Sequence, residues 1–452
     1  MEKTYTARGS AGADLSDEEL DELFSTALSK ALADINKAGP VIALPPDITR
    51  FHSRAGFFTD IAAKNLGNRL GAVLPALGTH TALAPHEMER MFPNTPKDKF
   101  RIHDWRRDVR ELGRLDAAYV ENACKGALRC DWPVQVNKIL ASGGPESGGF
   151  SMILSIGQVV PHEVAGMANH AKNIFIGCSG KEAIDKSHFA GAVYGMEKIM
   201  GRLDTPVRAL FDEGLRRFED KLPPVLWALT VVSPRTDSEA KAADKSADKS
   251  VGSLAVRGLF IGFGRECLEK AAALAAEVNV NLLDEPIHKA VVYLAPEEFR
   301  STWLGNKAIY RTRMAIADGG ELLVLAPALE RFGEDTEIDA LIRKHGYRPG
   351  REILAKTKND AELGGSLCAA AHLIHGSSEG RFTIRYCPGN GITQKEIESV
   401  GFEWGSLEEA NLRYDAGKLA VGWNTLPDGE RIYFVPNPGL GLWAEKKRFF
   451  AQ

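Results

Sequence analysis

GSLAVRGLFIGFGRECLEKAAALAAEVNVNLLDEP, residues 252–286, reads strand, turn, helix, strand. An apolar run gives way at Gly262-Phe263-Gly264 to helical spacing, and a second apolar run follows. Downstream, KAVVYLAP (289–296) and GELLVLAPAL (320–329) add two strands, with LGNKAIYRTRMAIA (304–317) as a helix between them. Upstream, GPVIALPPD (39–47) reads as a strand and loop, and RLGAVLPALGTH (69–80) as a strand ending at His80. FSMILSIGQVVPHEVAG (150–166) carries two apolar runs that stop just before His162. Apolar runs alternating with helical patterns make an α/β protein. In such folds, polar residues past the carboxyl ends of strands are where sites form.

Between these halves the chain changes character. SPRTDSEAKAADKSADKSVG, residues 233–252, repeats ADKS and lacks apolar periodicity, so it reads as a mobile surface loop or an inter-domain connection. It divides the chain into an N-terminal α/β domain, 1–252, and a C-terminal α/β domain, 253–452. The tail, SLEEANLRYDAGKLAVGWNTLPDGERIYFVPNPG, either closes the second domain or returns to the first.

Composition narrows the function classes. With 452 residues there is room for two or three cores. A net charge of -4 gives no electrostatic reason to expect nucleic acid or an anionic membrane. No run of eighteen apolar residues occurs. The acidic N-terminus is unlike a signal peptide. Six cysteines without a C-x-x-C pair make neither a disulfide framework nor a structural zinc site. The expected location is the cytoplasm.

Two nucleotide motifs are imitated. Gly262-Phe263-Gly264 with Asp284 twenty residues on resembles a dinucleotide fingerprint, but Cys267 stands at the third glycine. It keeps open a nicotinamide-dependent 2-hydroxy acid dehydrogenase. GCSGKEAIDKS fails as a phosphate loop, because Phe175 replaces the first glycine and Glu182 the Ser/Thr. His52, His86, His103, His288, His345, His372 and His375 read as surface or helix-end residues.

The densest chemistry lies in PHEVAGMANHAKNIFIGCSGKEAIDKSHFAGA, residues 161–192. His162 stands ten residues before Lys172 and His188 sixteen after it. Imidazoles bind borderline metals or carry protons near neutrality. A desolvated lysine can anchor a cofactor covalently.

PPDITR, ALGTHTALAPHEMERMF, PHEVAGMANHAK and DKSH resemble, in order, the motifs of the nickel-dependent lactate racemase family. The resemblance implies two Rossmann-like domains with the active site in the cleft between them. It implies a nickel-pincer nucleotide attached covalently at Lys172, with Asp47 and Thr49 among the cofactor contacts and His188 as the nickel ligand. It assigns His80 and His162 as acid/bases, and Arg50 and Lys307 as cations for the substrate's hydroxyl and carboxylate. The activity it implies is racemisation or epimerisation of a small 2-hydroxy acid, by hydride transfer to the cofactor and back. Separate cofactor-synthesis enzymes are implied as partners, and a non-catalytic homologue is the other alternative. Two departures stand out. A glycine-rich run before the lysine is replaced by Ala168-Asn169-His170-Ala171, and Trp303 and Leu304 stand where the lactate enzyme has tyrosine and glutamine. The second makes that wall less polar and points away from lactate as the native substrate.

Overall fold

The computed structural model describes residues 2–142, 148–235 and 254–452. They divide into two compact units: Met1–Ser187 with Gly201–Asn279, and His188–Met200 with Val280–Gln452. The division falls inside the helix Lys181–Tyr194.

The first unit is built on a six-stranded sheet in the order Lys3–Gly9, Leu254–Phe263, Val225–Pro234, Met152–Gln158, Val41–Leu44, Leu70–Val73. The last four run parallel, and the first two are antiparallel additions. Met152–Gln158 is buried at every residue, as expected of a parallel strand covered on both faces. Helix Asp17–Ile35 starts where the Ser16 side chain accepts the Glu19 N–H, with Asp17, Glu18 and Glu19 meeting the positive end of the helix dipole. Its apolar stripe includes Leu20, Phe24, Ala27, Leu28 and Ala31. Phe24 meets Phe58 of helix Ala55–Leu66 with ring centroids 5.1 Å apart.

The second unit has its own six-stranded sheet, in the order Glu403–Trp404, Thr383–Pro388, Ile316–Ala326, Ile287–Tyr293, Arg431–Val435, Gly422–Thr425. All neighbours are parallel except the last pair. The tail therefore closes this unit, and Leu442–Glu445 adds a parallel pairing with Val280–Leu283. The segment His188–Met200 is anchored within this unit by Glu197, which accepts from Arg313 Nε at 2.8 Å and lies 3.4 Å from Arg381 Nη1.

The α/β architecture is as expected, but the division moves. Leu254–Phe263 was assigned to the second domain, yet it pairs antiparallel with Val225–Pro234 and Lys3–Gly9. Its ladder bonds on both edges tie it to the first unit, which runs on to Asn279. Leu254 lies opposite Pro234, so the low-complexity segment joins two neighbouring strands. Most of that segment, residues 236–253, lies outside the described residues.

The same pairing removes the dinucleotide reading. That motif needs a parallel strand–helix–strand unit. Here the strand is antiparallel on both sides, and the run after its helix pairs in a separate two-stranded sheet. Asp284, the supposed ribose ligand, accepts from Lys446 Nζ at 2.5 Å. Among the described residues no helix is long and apolar enough to cross a membrane.

Candidate functional site

Three parallel strands of the first unit lead, past their carboxyl ends, to the predicted residues. Val41–Leu44 leads to Asp47, Thr49 and Arg50; Leu70–Val73 to His80; Met152–Gln158 to His162. Beyond the strands the backbones stay paired, with Leu74 N donating to Ala43 O at 2.9 Å and Ala76 N to Pro45 O at 2.8 Å. This continuation brings the two loops side by side and places His80 Nδ1 2.5 Å from Asp47 Oδ2. The other oxygen, Asp47 Oδ1, accepts the Thr49 N–H at 3.0 Å and the Thr49 hydroxyl at 2.5 Å. Asp47 and Thr49 were expected to contact a cofactor; here their polar groups engage each other and His80.

Lys172 sits on the short helix Ala171–Phe175. The next residue, Asn173, donates from Nδ2 to Leu44 O and to Ser155 Oγ, both at 3.0 Å, tying this helix to two strands of the sheet. Phe175 at its end packs edge-on against Trp132, centroids 6.0 Å apart. Gly177 allows the turn that follows to touch the His80 loop. A Cβ there would lie 2.4 Å from Asn173 O and 2.6 Å from Ala76 Cβ.

The residues before Lys172 hold an unusual backbone. Asn169 (φ 67°) and His170 (φ 57°, ψ −139°) occupy positive-φ conformations, the latter a region normally left to glycine. The glycines expected of this run are gone, but the backbone shape that needs them remains. Its carbonyls are held by Arg208, which is buried and donates to Asn169 O at 3.2 Å and to Met167 O. The His170 ring lies on Trp227, and its Nε2 meets Gly264 O at 3.0 Å. Burial holds this imidazole neutral, with its pKa down at about 3.

Lys172 keeps some accessible surface, yet protein surrounds it closely. Desolvation, then repulsion from Arg50, lowers its amine to about 8; Glu163 and Asp47 oppose the shift and Arg208 adds to it. Roughly a tenth of such an amine is unprotonated at pH 7. Burial likewise pulls Arg208 down, to about 10. Arg50 Nη1 and Arg208 Nε are buried without a hydrogen-bond partner among the described residues. Positive charge from Arg50 and Arg208 acting on Lys172, with an unmet donor on each arginine, is chemistry suited to an anionic group. His162 adjoins Glu163, whose Oε1 lies 3.8 Å from His162 Nε2. His162 Nδ1 accepts the Val164 N–H at 3.1 Å and the Ala165 N–H at 3.4 Å.

The first unit thus gathers Asp47, Thr49, Arg50, His80, His162 and Lys172. His188, partly exposed on helix Lys181–Tyr194, is grouped with the second unit, as are Trp303, Leu304 and Lys307. Among the described residues no group of three or more His, Cys, Asp or Glu side chains is arranged to hold a metal. Lys307 is buried, with Nζ 5.5 Å from the Phe299 ring centre. Trp303 remains partly exposed and stacks on His372, centroids 4.5 Å apart; Leu304 is buried and packs inward.

Of the histidines read as surface or helix-end residues, His345, His372 and His375 do lie in the last turns of helices, and these three, with His52 and His103, are buried. His372 bridges Tyr310 (2.6 Å) and Tyr347 (2.8 Å), and Tyr347 in turn meets Thr302 at 2.7 Å. One imidazole thereby braces both ends of the segment that carries Trp303 and Lys307. Glu163 and Arg208 were missed as members of the site. Glu163 could have been suspected from its place beside His162, whereas nothing in the sequence around Arg208 marks it.

Residues 16–200 match the family described as the lactate racemase N-terminal domain. Among solved structures, a structural-genomics target from Thermotoga maritima superposes with a TM-score of 0.75 at 23% identity, over 96% of this chain and 99% of that one. The lactate racemase apoprotein from Thermoanaerobacterium thermosaccharolyticum gives a TM-score of 0.65 at 14% identity, over 97% of this chain and 94% of that one. At these identities the two structures establish a shared fold. No curated protein matches the chain in sequence.

Proposed function

We propose that the chain, whose residues 16–200 match the family described as the lactate racemase N-terminal domain, is a racemase or epimerase of a small 2-hydroxy acid that works with a nickel-pincer nucleotide. The observation that carries this reading is the state of Lys172: desolvated, lowered to about 8, and set among Arg50, Arg208, Asp47 and Glu163. An amine of that kind can form an amide-type link at neutral pH, and the unmet donors of Arg50 and Arg208 suit an anionic cofactor or substrate.

When bound, such a cofactor supplies an acceptor for the substrate's α-hydrogen as hydride, leaving a keto acid that can take it back on either face. This chain's residues do the remaining work. Lys172 would tether the cofactor, and His188 would provide the nickel ligand. Arg50 and Lys307 bind the substrate's hydroxyl and carboxylate, fixing the reacting carbon. His80 and His162 handle the hydroxyl proton and its hydrogen bonds. Trp303 and the buried Leu304 stand in place of polar groups of the lactate enzyme, so the preferred substrate carries a larger or less polar side chain than lactate. Separate enzymes make and load the cofactor, and the expected setting is the cytoplasm.

The test is intact-protein mass spectrometry with metal analysis, on chain co-expressed with cofactor-synthesis enzymes. A mass increment on the Lys172 peptide with about one nickel per chain supports the reading. Absence of both, where a known family member loads normally, removes it. A panel of 2-hydroxy acids followed by polarimetry then identifies the substrate, and lactate turning over far faster than the rest would overturn the side-chain preference.

A further inference from the structure

Three side chains hold the run that leads into Lys172. Asn169 Oδ1 accepts the next backbone N–H, that of His170, at 2.7 Å. Its Nδ2 fills the notch at Gly157, where a Cβ would lie only 2.4 Å away. The His170 ring is pinned to Trp227 and to Gly264 O. Arg208 reaches in from another element and bonds two carbonyls at once, Nη2 to Met167 O and Nη1 to Asn169 O.

Arg208 is anchored where it starts. It lies in the first turn of helix Pro206–Phe218, and the Thr205 side chain accepts its backbone N–H. The Thr205 hydroxyl donates to Ala165 O at 3.4 Å and Gly201 N to Gly166 O at 3.0 Å, so the approach to this helix is fastened to the same run. The arginine is 1% exposed. Burial of a charge costs stability, and what the guanidinium does there is specific to its shape: one rigid, planar fork serves two carbonyls two residues apart. The run ends at His170 O, which accepts Asn173 N at 2.7 Å and so opens the turn that carries Lys172.

We propose that Arg208 is a positioning residue for Lys172: it replaces the missing glycines with a clamp on residues 167–170, and so sets the lysine before anything is attached to it. The proposal rests on the racemase reading only for what that lysine is for. Glycines would reach the same backbone shape freely, but their freedom is lost each time the run is ordered. A clamped run is ordered beforehand, so attachment at Lys172 loses less entropy. The guanidinium's charge acts in the same direction. Together with burial and Arg50 it lowers the amine to about 8, against the opposing pull of Glu163 and Asp47.

The experiment compares the full cofactor-free chain with its Arg208→Lys and Arg208→Met variants. Pulse acetylation with acetic anhydride across pH, read by peptide mass mapping, gives the midpoint of Lys172. Amide hydrogen exchange gives local opening. Lysine keeps the charge but offers one point in place of the fork, so it should not restore the clamp. In both variants the Lys172 midpoint should rise from about 8 by at least about one pH unit, as water reaches the amine. Exchange at Ala168 and Asn173 should quicken on the order of 10–100-fold, the worth of a hydrogen bond to a charged group. Ile153, bonded to Pro224 O at 2.9 Å, should not change.

A midpoint that stays near 8 in both variants overturns the proposal. So does acceleration shared equally by Ile153, or failure of both variants to fold, since either makes Arg208 a support of the whole fold. Wild-type midpoint and exchange in Arg208→Lys would assign the effect to charge alone and overturn the clamp. If only Arg208→Met fails to fold, Arg208→Lys carries both readouts. None of these measurements needs cofactor. A chain that behaves as expected yet fails to load counts against the racemase reading and leaves the role of Arg208 standing.

Discussion

The His170 ring lies on the indole of Trp227, with centroids 4.1 Å apart and planes 33° from parallel. That stack, with the bond from Nε2 to Gly264 O, keeps a non-glycine residue in glycine's conformational territory two positions before Lys172.

His170→Ala loses both contacts and keeps the unfavourable φ, so it should destabilise the chain by about 2–4 kcal/mol. His170→Gly loses the same contacts but relieves the backbone, and should be the milder change by about 1 kcal/mol or more. Urea denaturation of the two variants side by side checks the order; alanine matching or exceeding glycine would show that the backbone is not strained.

Lys172 should acylate with a midpoint near pH 8, against the usual lysine range around 10.4. Its sign in stability follows. The amine's pKa is lower folded than unfolded, so the unfolded chain holds more protons between the two values and stability rises with pH across that window. Below pH 8 the buried charge is a full liability, so Lys172→Met should stabilise the cofactor-free chain at pH 7, by on the order of 1–3 kcal/mol, and gain little at pH 10.5. Peptide mass mapping of acylation against pH and denaturation at the two pH values test this.

Gly177→Ala should cost about 1–3 kcal/mol, because its Cβ would overlap both Asn173 O and Ala76. As the strain falls between the Lys172 helix and the His80 loop, slowed acylation of Lys172 should accompany the lost stability. Unchanged stability and labelling would mean that the two segments separate freely.

Trp303 and Leu304 should respond differently to restoring the lactate enzyme's residues. Trp303→Tyr alters a partly exposed surface and should raise the turnover of lactate relative to bulkier 2-hydroxy acids. Leu304→Gln puts an amide where the side chain is buried and should lose about 1–3 kcal/mol before any change in preference. Competition assays on loaded enzyme and melting curves on the cofactor-free chain separate the two effects.

The site was legible where chemistry follows strand ends. Asp47, His80 and His162 each lie a few residues beyond an apolar run, and local pattern is enough to find such runs. Strand partners were not legible, since pairing is non-local: nothing within Leu254–Phe263 says that its neighbours are residues 3–9 and 225–234. A charged low-complexity stretch marks a connection, and hairpins and domain boundaries both need one. The burial of the histidines was not legible for a related reason. His372 is a polar residue near a helix end until two tyrosines from distant positions close on it. Arg208 enters the site through the fold alone, by reaching carbonyls in a loop that glycine would otherwise have to form.

The facing of Pro234 and Leu254 also makes the protein divisible at a chosen point. Strand ends that already lie side by side can become new chain ends without moving the residues that precede Lys172. Because the ADKS stretch connects those two strand ends in sequence, its length can be cut, exchanged or made to carry a reporter independently of the chemistry at the other strands.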